Sequence, residues 1–362
     1  MEIITKRYSC TEHAILVGIV GLAPGTFHTM LWKEDGSVWS TGIKMDAVHL
    51  AFVPVISSGA TAAAAGTGYS IVIKHDGGVW TTVKKSRGQL SFFDGSLTSK
   101  RTFYAVKTIG GAKAVAAGSY HSLVLGKRGR VWAMGWNKYA QLGDGSTLDK
   151  AKFIRLISLG EKFTAIAIAA GEIHSIVLKR DGSVWAAGRN YNGQLGDGTK
   201  DDRKTFVMAV SRGVVDVTAG SYHSMVLKQD SGVWTTGSNE YGQLGDGSTV
   251  DRVSYVQVVL HGAKAVVAGS RHSMVLKQDG SVWTTGYNQY GQLGTGLHVN
   301  SRVFVRVIFD GVKTIAAGAF HSMVLKQDGS VWATGSNKEG QLGDGSTVSQ
   351  KIFIRLSPFS YG

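Results

Sequence analysis

Residues 269–294 read GSRHSMVLKQDGSVWTTGYNQYGQLG, and close copies of this string recur along the chain. Aligned on their Val-Trp pair, the copies place Trp39, Trp80, Trp132, Trp185, Trp234, Trp283 and Trp332 at successive spacings of 41, 52, 53, 49, 49 and 49 residues. Self-similarity at a period of about 40 to 50 residues restricts the chain to a stacked or closed array, because one such unit cannot bury its own faces. The seven units fill nearly all of the 362 residues. A length that could hold two or three domains is therefore read as one domain, residues 1–362.

Within the unit, His272 to Lys277 is an apolar run, Gln278 to Ser281 a turn, and Val282 to Thr285 a second run of β-branched and aromatic residues. Asp-Gly between such runs marks a hairpin, since Gly and Asp tolerate the positive φ that a tight two-residue turn demands. Ala263 to Ala268 before it and Val303 to Val307 after it complete four strands per repeat. These runs are nearly continuous in apolar character, as expected where neighbours cover both faces of a sheet. Radial packing of sheets does this and leaves only short, protected edges. The expected fold is all-β, a seven-bladed β-propeller of four-stranded antiparallel blades. Each repeat Trp can bury about 150 to 250 Å², so the seven indoles are expected to wedge the blades around the axis.

The first two repeats are irregular: residues 42–55 lack the GQLGDG loop, and Tyr69 stands where the other repeats have His. Ile352 to Leu356 is expected either as the outer strand of the last blade or as a strap onto the first, with Glu2 to Lys6 as a further edge strand. Cys10 is the one cysteine, which excludes an internal disulfide and favours an intracellular compartment. Ala14 to Ala23 follows Lys6 and Arg7 much as a signal-peptide core would. It continues into Gly25-Thr26-Phe27-His28 in register with the repeat and is read as the first strand. No stretch approaches the roughly 18 apolar residues of a membrane span, so a soluble protein is expected.

The Gly-x-x-His-Ser, Asp-Gly-x-Val-Trp and Asn-x-x-Gly-Gln-Leu-Gly segments resemble the repeat of the regulator of chromosome condensation family. The resemblance covers most of the chain and implies a seven-bladed propeller. It implies far less about function. The family includes the nuclear exchange factor for the GTPase Ran, domains of ubiquitin ligases and a plant ultraviolet-B photoreceptor. This chain shows no insertion long enough to serve as the wedge with which the Ran factor opens its GTPase, and it lacks the photoreceptor's Gly-Trp-Arg-His-Thr segments.

His28, His121, His174, His223, His272 and His321 occupy one repeat position. A catalytic residue does not need six copies, so a repeated structural hydrogen bond between strands or blades is expected. The GQLGDGST loops lack the Lys-Ser/Thr pair of a phosphate loop and the carboxylate spacing of a calcium loop. They are read as turns, with Asp and Gly suited by their φ values. No catalytic constellation or cofactor fingerprint breaks the repeat, so neither an enzyme nor a bound metal or cofactor is expected.

The formal net charge is +14, and the excess is concentrated in residues 112–212. There the hairpin turns of repeats three and four carry Lys127, Arg128 and Arg130, and Lys179 and Arg180, where later repeats read Lys-Gln-Asp. Equivalent turns of neighbouring blades should form a contiguous basic patch able to attract a polyanion. A second basic series, Lys100, Arg101, Lys150, Lys152, Arg203, Lys204, Arg252 and Arg302, follows the Gly-rich loops. The residue before each His varies: Phe27, Tyr120, Tyr222, Arg271 and Phe320 are of the types that anchor interfaces. Basic turns and rim residues together are expected to form the contact surface. The expected function is a non-enzymatic protein–protein interaction module or scaffold, or a subunit of a larger assembly, with an acidic protein as partner. The alternatives are guanine-nucleotide exchange on a Ran-like small GTPase with chromatin docking, and nucleic-acid binding through a basic face.

Overall fold

The computed structural model describes residues 17–44, 47–82, 103–106, 111–156 and 164–357. Glu2 to Lys6 and Cys10 lie outside the described residues, as do Lys100 and Arg101. The described chain forms seven four-stranded antiparallel sheets, each made of four consecutive strands. Blade 1 comprises β1 (Ile19–Pro24), β2 (His28–Lys33), β3 (Val38–Lys44) and β4 (Ala47–Ile56). Blade 6 comprises β21 (Ala263–Ala268), β22 (His272–Lys277), β23 (Val282–Gly286) and β24 (Ser301–Ile308). Blade 7 comprises β25 (Val312–Ala317), β26 (His321–Lys326), β27 (Val331–Gly335) and β28 (Gln350–Arg355). The expected all-β, seven-bladed architecture is the observed one. No helix among the described residues is long and apolar enough to cross a membrane.

The β22–β23 hairpin differs in detail from the two-residue turn expected. Lys277 N–H donates to Ser281 O at 2.9 Å and Gly280 N–H to Lys277 O at 3.0 Å. The connection is thus three residues long and closes on Gly280, whose φ is +79°. A turn followed by one left-handed residue needs only that single glycine, and a Cβ there would sit 2.9 Å from Gly311 N. Asp279 serves the turn through its carboxylate, which accepts Ser281 N–H at 2.9 Å.

The core is divided among the seams between blades. At the seam of blades 6 and 7, Met274, Leu276 and Val282 meet Val312, Ile315 and Val324, all nearly inaccessible to solvent. The repeat tryptophans do not occupy these centres. Trp39, Trp132, Trp185, Trp234, Trp283 and Trp332 pack half-buried at seam margins. Trp80, half-buried in its own blade, lies under Lys74 Nζ at 4.2 Å. Trp283 shows the pattern: its indole N–H donates to Ser281 Oγ at 3.0 Å, and Lys277 Nζ lies 5.0 Å from its ring. The aliphatic residues of β22 and β26 do the wedging, because the second strands are sandwiched between sheets whereas the third strands lie nearer the rim. Full burial would make Trp283→Ala cost about 3 to 5 kcal/mol. Half-burial makes the expected loss about 2 to 3 kcal/mol, to be read from the shift in denaturant midpoint at constant m value.

The ring closes without a covalent link between blades 7 and 1. Ile19, Leu31 and Phe52 of blade 1 pack with Met323, Leu325, Leu342 and Leu356. Thr41 Oγ1 donates to Gly340 O at 2.8 Å, and Gly345 N–H donates to Leu50 O at 2.9 Å. β28 pairs with β27, so the last strand is the outer strand of blade 7 rather than a strap.

Candidate interaction faces

Buried histidines tie each blade to the next. Nε2 of His121, His174, His223 and His272 lies 2.9 Å from Ser175, Ser224, Ser273 and Ser322 Oγ respectively. His28 meets Ser70 Oγ at 2.9 Å, and His321 meets Thr29 Oγ1 at 2.8 Å. In blade 2, Tyr69 reaches across instead, donating to His121 O at 2.6 Å and accepting from Ser122 Oγ at 3.1 Å. The hydroxyls of Thr29, Ser175, Ser224, Ser273 and Ser322 pass their own protons on, as Ser322 does to Gln292 O at 2.7 Å. That direction requires the proton on histidine Nε2 and leaves Nδ1 of His121, His174, His223, His272 and His321 buried without a partner. Gly269 allows the approach, since a Cβ there would fall 2.1 Å from His272 Cε1. Burial pushes His121, His174, His272 and His321 down to about 3 and His223 to about 4. The ring is structural chemistry with neutral imidazoles.

The GQLGDG loops are built around buried asparagines. Asn239 Nδ2 donates to Asp246 Oδ1 at 2.9 Å and to Ser248 O at 3.2 Å, while its Oδ1 accepts Leu244 N–H at 3.0 Å. The loop Asp is therefore held for its carboxylate, and its φ is not positive; among described non-glycine residues only Ala140 and Ser231 have positive φ. These carboxylates also absorb part of the second basic series. Lys150, Arg203 and Arg252 pair with Asp144, Asp197 and Asp246 at 3.2, 2.7 and 2.6 Å. They lock loops rather than offer free charge. Among the described residues no three His, Cys, Asp or Glu side chains gather as a metal site.

The proposed contact residues do not form one surface. The residue before each His sits at the start of the second strand, and the Lys-Gln-Asp turn follows its end, so antiparallel alternation sends them to opposite faces of the disc. Phe27, Tyr120, Tyr222, Arg271 and Phe320 surround one mouth of a central channel walled by small residues such as Gly118, Ala170 and Ser270. Lys127, Arg128, Arg130, Lys179 and Arg180 lie on the other face.

On the first face the rim residues join a larger belt that includes side chains not singled out from sequence. Tyr120 meets Trp136 edge-on at 5.4 Å, and Trp136 meets Tyr139 at 5.4 Å. The Arg189 guanidinium lies 4.5 Å from the Tyr139 ring centroid and 5.8 Å from that of Tyr191. Across the mouth, Tyr241, Tyr287, Tyr290 and Phe320 contact one another in sequence, with centroids 5.0, 6.1 and 5.4 Å apart. Arg271 stacks on Tyr241 at 4.9 Å and donates to its hydroxyl at 3.0 Å. Tyr222 donates to Glu172 Oε1 at 3.0 Å, and its hydroxyl is pushed up to about 12, first by burial and then by that carboxylate. The sequence signal that marks the added residues is variation at two more repeat positions. One follows the Gly ending the third strand (Trp136, Arg189, Tyr287); the other lies in the loop beyond it (Tyr139, Tyr241, Tyr290).

The comparisons with known proteins agree with this architecture. Human probable E3 ubiquitin-protein ligase HERC4 is 44% identical over 91 residues, 25% of this chain and 8% of that protein. The zebrafish (Danio rerio) RCC2 homolog is 39% identical over 84 residues, 23% of this chain and 16% of that protein. The chain thus spans under a fifth of the length of these curated relatives. Among solved structures, human WBSCR16 superposes with a TM-score of 0.76 at 23% identity, covering 86% of this chain and 85% of that one. Prp20p from Saccharomyces cerevisiae, described with its binding to Gsp1p and histones, gives 0.76 at 19% identity, covering 94% and 87%. These likenesses show the fold. The family model for the RCC1-like domain matches residues 65–358, and with that span the chain belongs to the RCC1-like domain family.

Proposed function

We propose that this propeller is a non-enzymatic protein-interaction module that captures an acidic segment of a partner across the channel mouth. The observation that carries the reading is the belt, above all Arg189 and Arg271, stacked on tyrosines with no ion pair among the described residues. A guanidinium held over a ring keeps N–H groups available to a carboxylate, and the contact lowers the entropy lost on binding. The surrounding rings add rigid apolar area of the kind that anchors interfaces. The partial matches to HERC4, a probable E3 ubiquitin-protein ligase, and to the RCC2 homolog support an interaction role of this general kind.

The test is affinity capture from native cells with wild-type bait, Arg271→Ala with Tyr290→Ala, and Arg189→Ala. Loss of at least tenfold in the captured partner, about 1.4 kcal/mol or more, is expected for the belt variants. Equal recovery by all baits would refute the assignment. Exchange on a Ran-like GTPase draws its support from the likeness to Prp20p, which binds Gsp1p. Accelerated release of labelled GDP that persists in the belt variants would favour that reading instead.

A further inference from the structure

Six of the seven hairpin turns between second and third strands follow one design. Asp35, Asp76, Asp181, Asp230, Asp279 and Asp328 each accept the backbone N–H two residues on, at 2.7 to 3.0 Å. Where Ser occupies that second position it commonly also receives the indole N–H, as Ser37, Ser183, Ser281 and Ser330 do. Blade 3 abandons both devices. Its turn reads Lys127-Arg128-Gly129-Arg130, with Arg128 in place of the capping Asp and Arg130 in place of the Ser. The backbone still closes, through Gly126 N–H to Arg130 O at 2.9 Å and Gly129 N–H to Gly126 O at 3.0 Å. Breaking a local rule that every other blade keeps points to a demand from outside the fold.

The cations are also gathered. Ala165 N–H donates to Gly129 O and Arg180 N–H to Thr164 O, both at 3.0 Å, which places the turns of blades 3 and 4 side by side. Val214 N–H donates to Gly182 O at 3.1 Å and brings Arg212 beside the second turn. Lys127 N–H donates to Gly111 O at 2.9 Å, next to Lys113. All six cations, Lys113, Lys127, Arg128, Arg130, Arg180 and Arg212, are exposed. None has an ion-pair partner among the described residues. Among the described residues Asp181 is the carboxylate on these two turns, and it is occupied by Ser183 and Lys179.

We infer that this strip binds the phosphate backbone of a nucleic-acid duplex. Its chemistry selects among polyanions. The belt aromatics lie on the opposite face, so among the described residues the strip has no platform on which single-stranded bases could stack. Among the described residues it carries no exposed aromatic or leucine wedge of the sort that joins a basic patch in stable membrane attachment. What remains is a run of exposed cations on adjoining turns, suited to phosphate contact without base readout. This surface is separate from the belt, and either can fail without the other.

The probe is a fluorescein-labelled random-sequence 24-base-pair duplex, as DNA and as RNA, titrated by anisotropy between 50 and 200 mM salt. About five to six phosphate contacts give a slope of log K against log salt near −5. The decisive variant is Arg128→Asp with Arg130→Ser, which restores the Asp-Gly-Ser turn of blades 1, 4, 6 and 7 and with it the cap. Its melting temperature is expected to equal or exceed that of wild type, while its duplex affinity at 50 mM salt falls at least 30-fold and its slope becomes shallower by about 2. An unchanged affinity or slope in this well-folded variant overturns the proposal. So does tighter wild-type binding to single strands, to polyglutamate or to phosphatidylserine vesicles than to the duplex.

Discussion

Lowering the pH from 7 to 5 is expected to unfold this propeller, with the loss concentrated below pH 6.5. Five buried histidines are held down at about 3 to 4 in the folded state, whereas in an unfolded chain they titrate near 6.5. Because the folded values are depressed, the unfolded state binds more protons throughout that interval. Stability is therefore complete above pH 6.5 and falls as the pH drops toward the folded values. Each histidine removes about 1.4 kcal/mol per pH unit within the window, so five remove about 7 kcal/mol per unit. Against a typical stability of about 5 to 15 kcal/mol, the folded state should disappear near pH 5. Capping carboxylates such as Asp181 and Asp279 are shifted below their ordinary range and contribute only at lower pH, so the interval isolates the histidines. Denaturant midpoints measured at half-unit steps decide the matter. A stability constant from pH 7 to 4.5 would mean that the ring does not carry neutral imidazoles.

Thr29→Val is expected to have the largest effect of any near-isosteric change, about 3 to 5 kcal/mol. Thr29 Oγ1 is fully buried, receives His321 Nε2–H at 2.8 Å and donates to Gln341 O at 2.7 Å. The valine would leave an imidazole N–H and a backbone carbonyl unsatisfied, each costing about 1 to 3 kcal/mol. Ser273→Ala removes the same pair of bonds at the seam of blades 5 and 6, toward His223 and Gln243. There the chain itself joins the two blades, whereas the seam of blades 7 and 1 is held by side chains and backbone contacts alone. Hydrogen exchange should show the difference: Thr29→Val should lower protection in β1 and β28 first, while Ser273→Ala should leave those strands unchanged. Equal exchange patterns would mean that the closing seam is no weaker than the rest.

Much of this was legible in the residues. The recurrence of Val-Trp and Gly-x-x-His located every blade, and the strands expected from His272 to Lys277 and Ala263 to Ala268 lie at those bounds. The single-surface reading was not sound, although the alternation of antiparallel strands already places Arg271 and Gln278 at opposite ends of β22. The tryptophans misled for a different reason. Their size suggests a core position, but residue type does not state radius from the axis, and the third strand carries them toward the rim under Lys277 or Lys326.

By itself the sequence determined the period, the strand content and the number of blades, because these follow from local patterns that each repeat restates. Only the tertiary structure decided which residues of different repeats meet: that His321 finds Thr29 across the closing seam, that Arg203 is spent on Asp197, and that Gly129 and Arg180 flank the same short segment. Those pairings depend on the angle at which one sheet packs on the next, and seven such angles must sum to a closed circle. That condition belongs to the whole ring and is written in no single repeat.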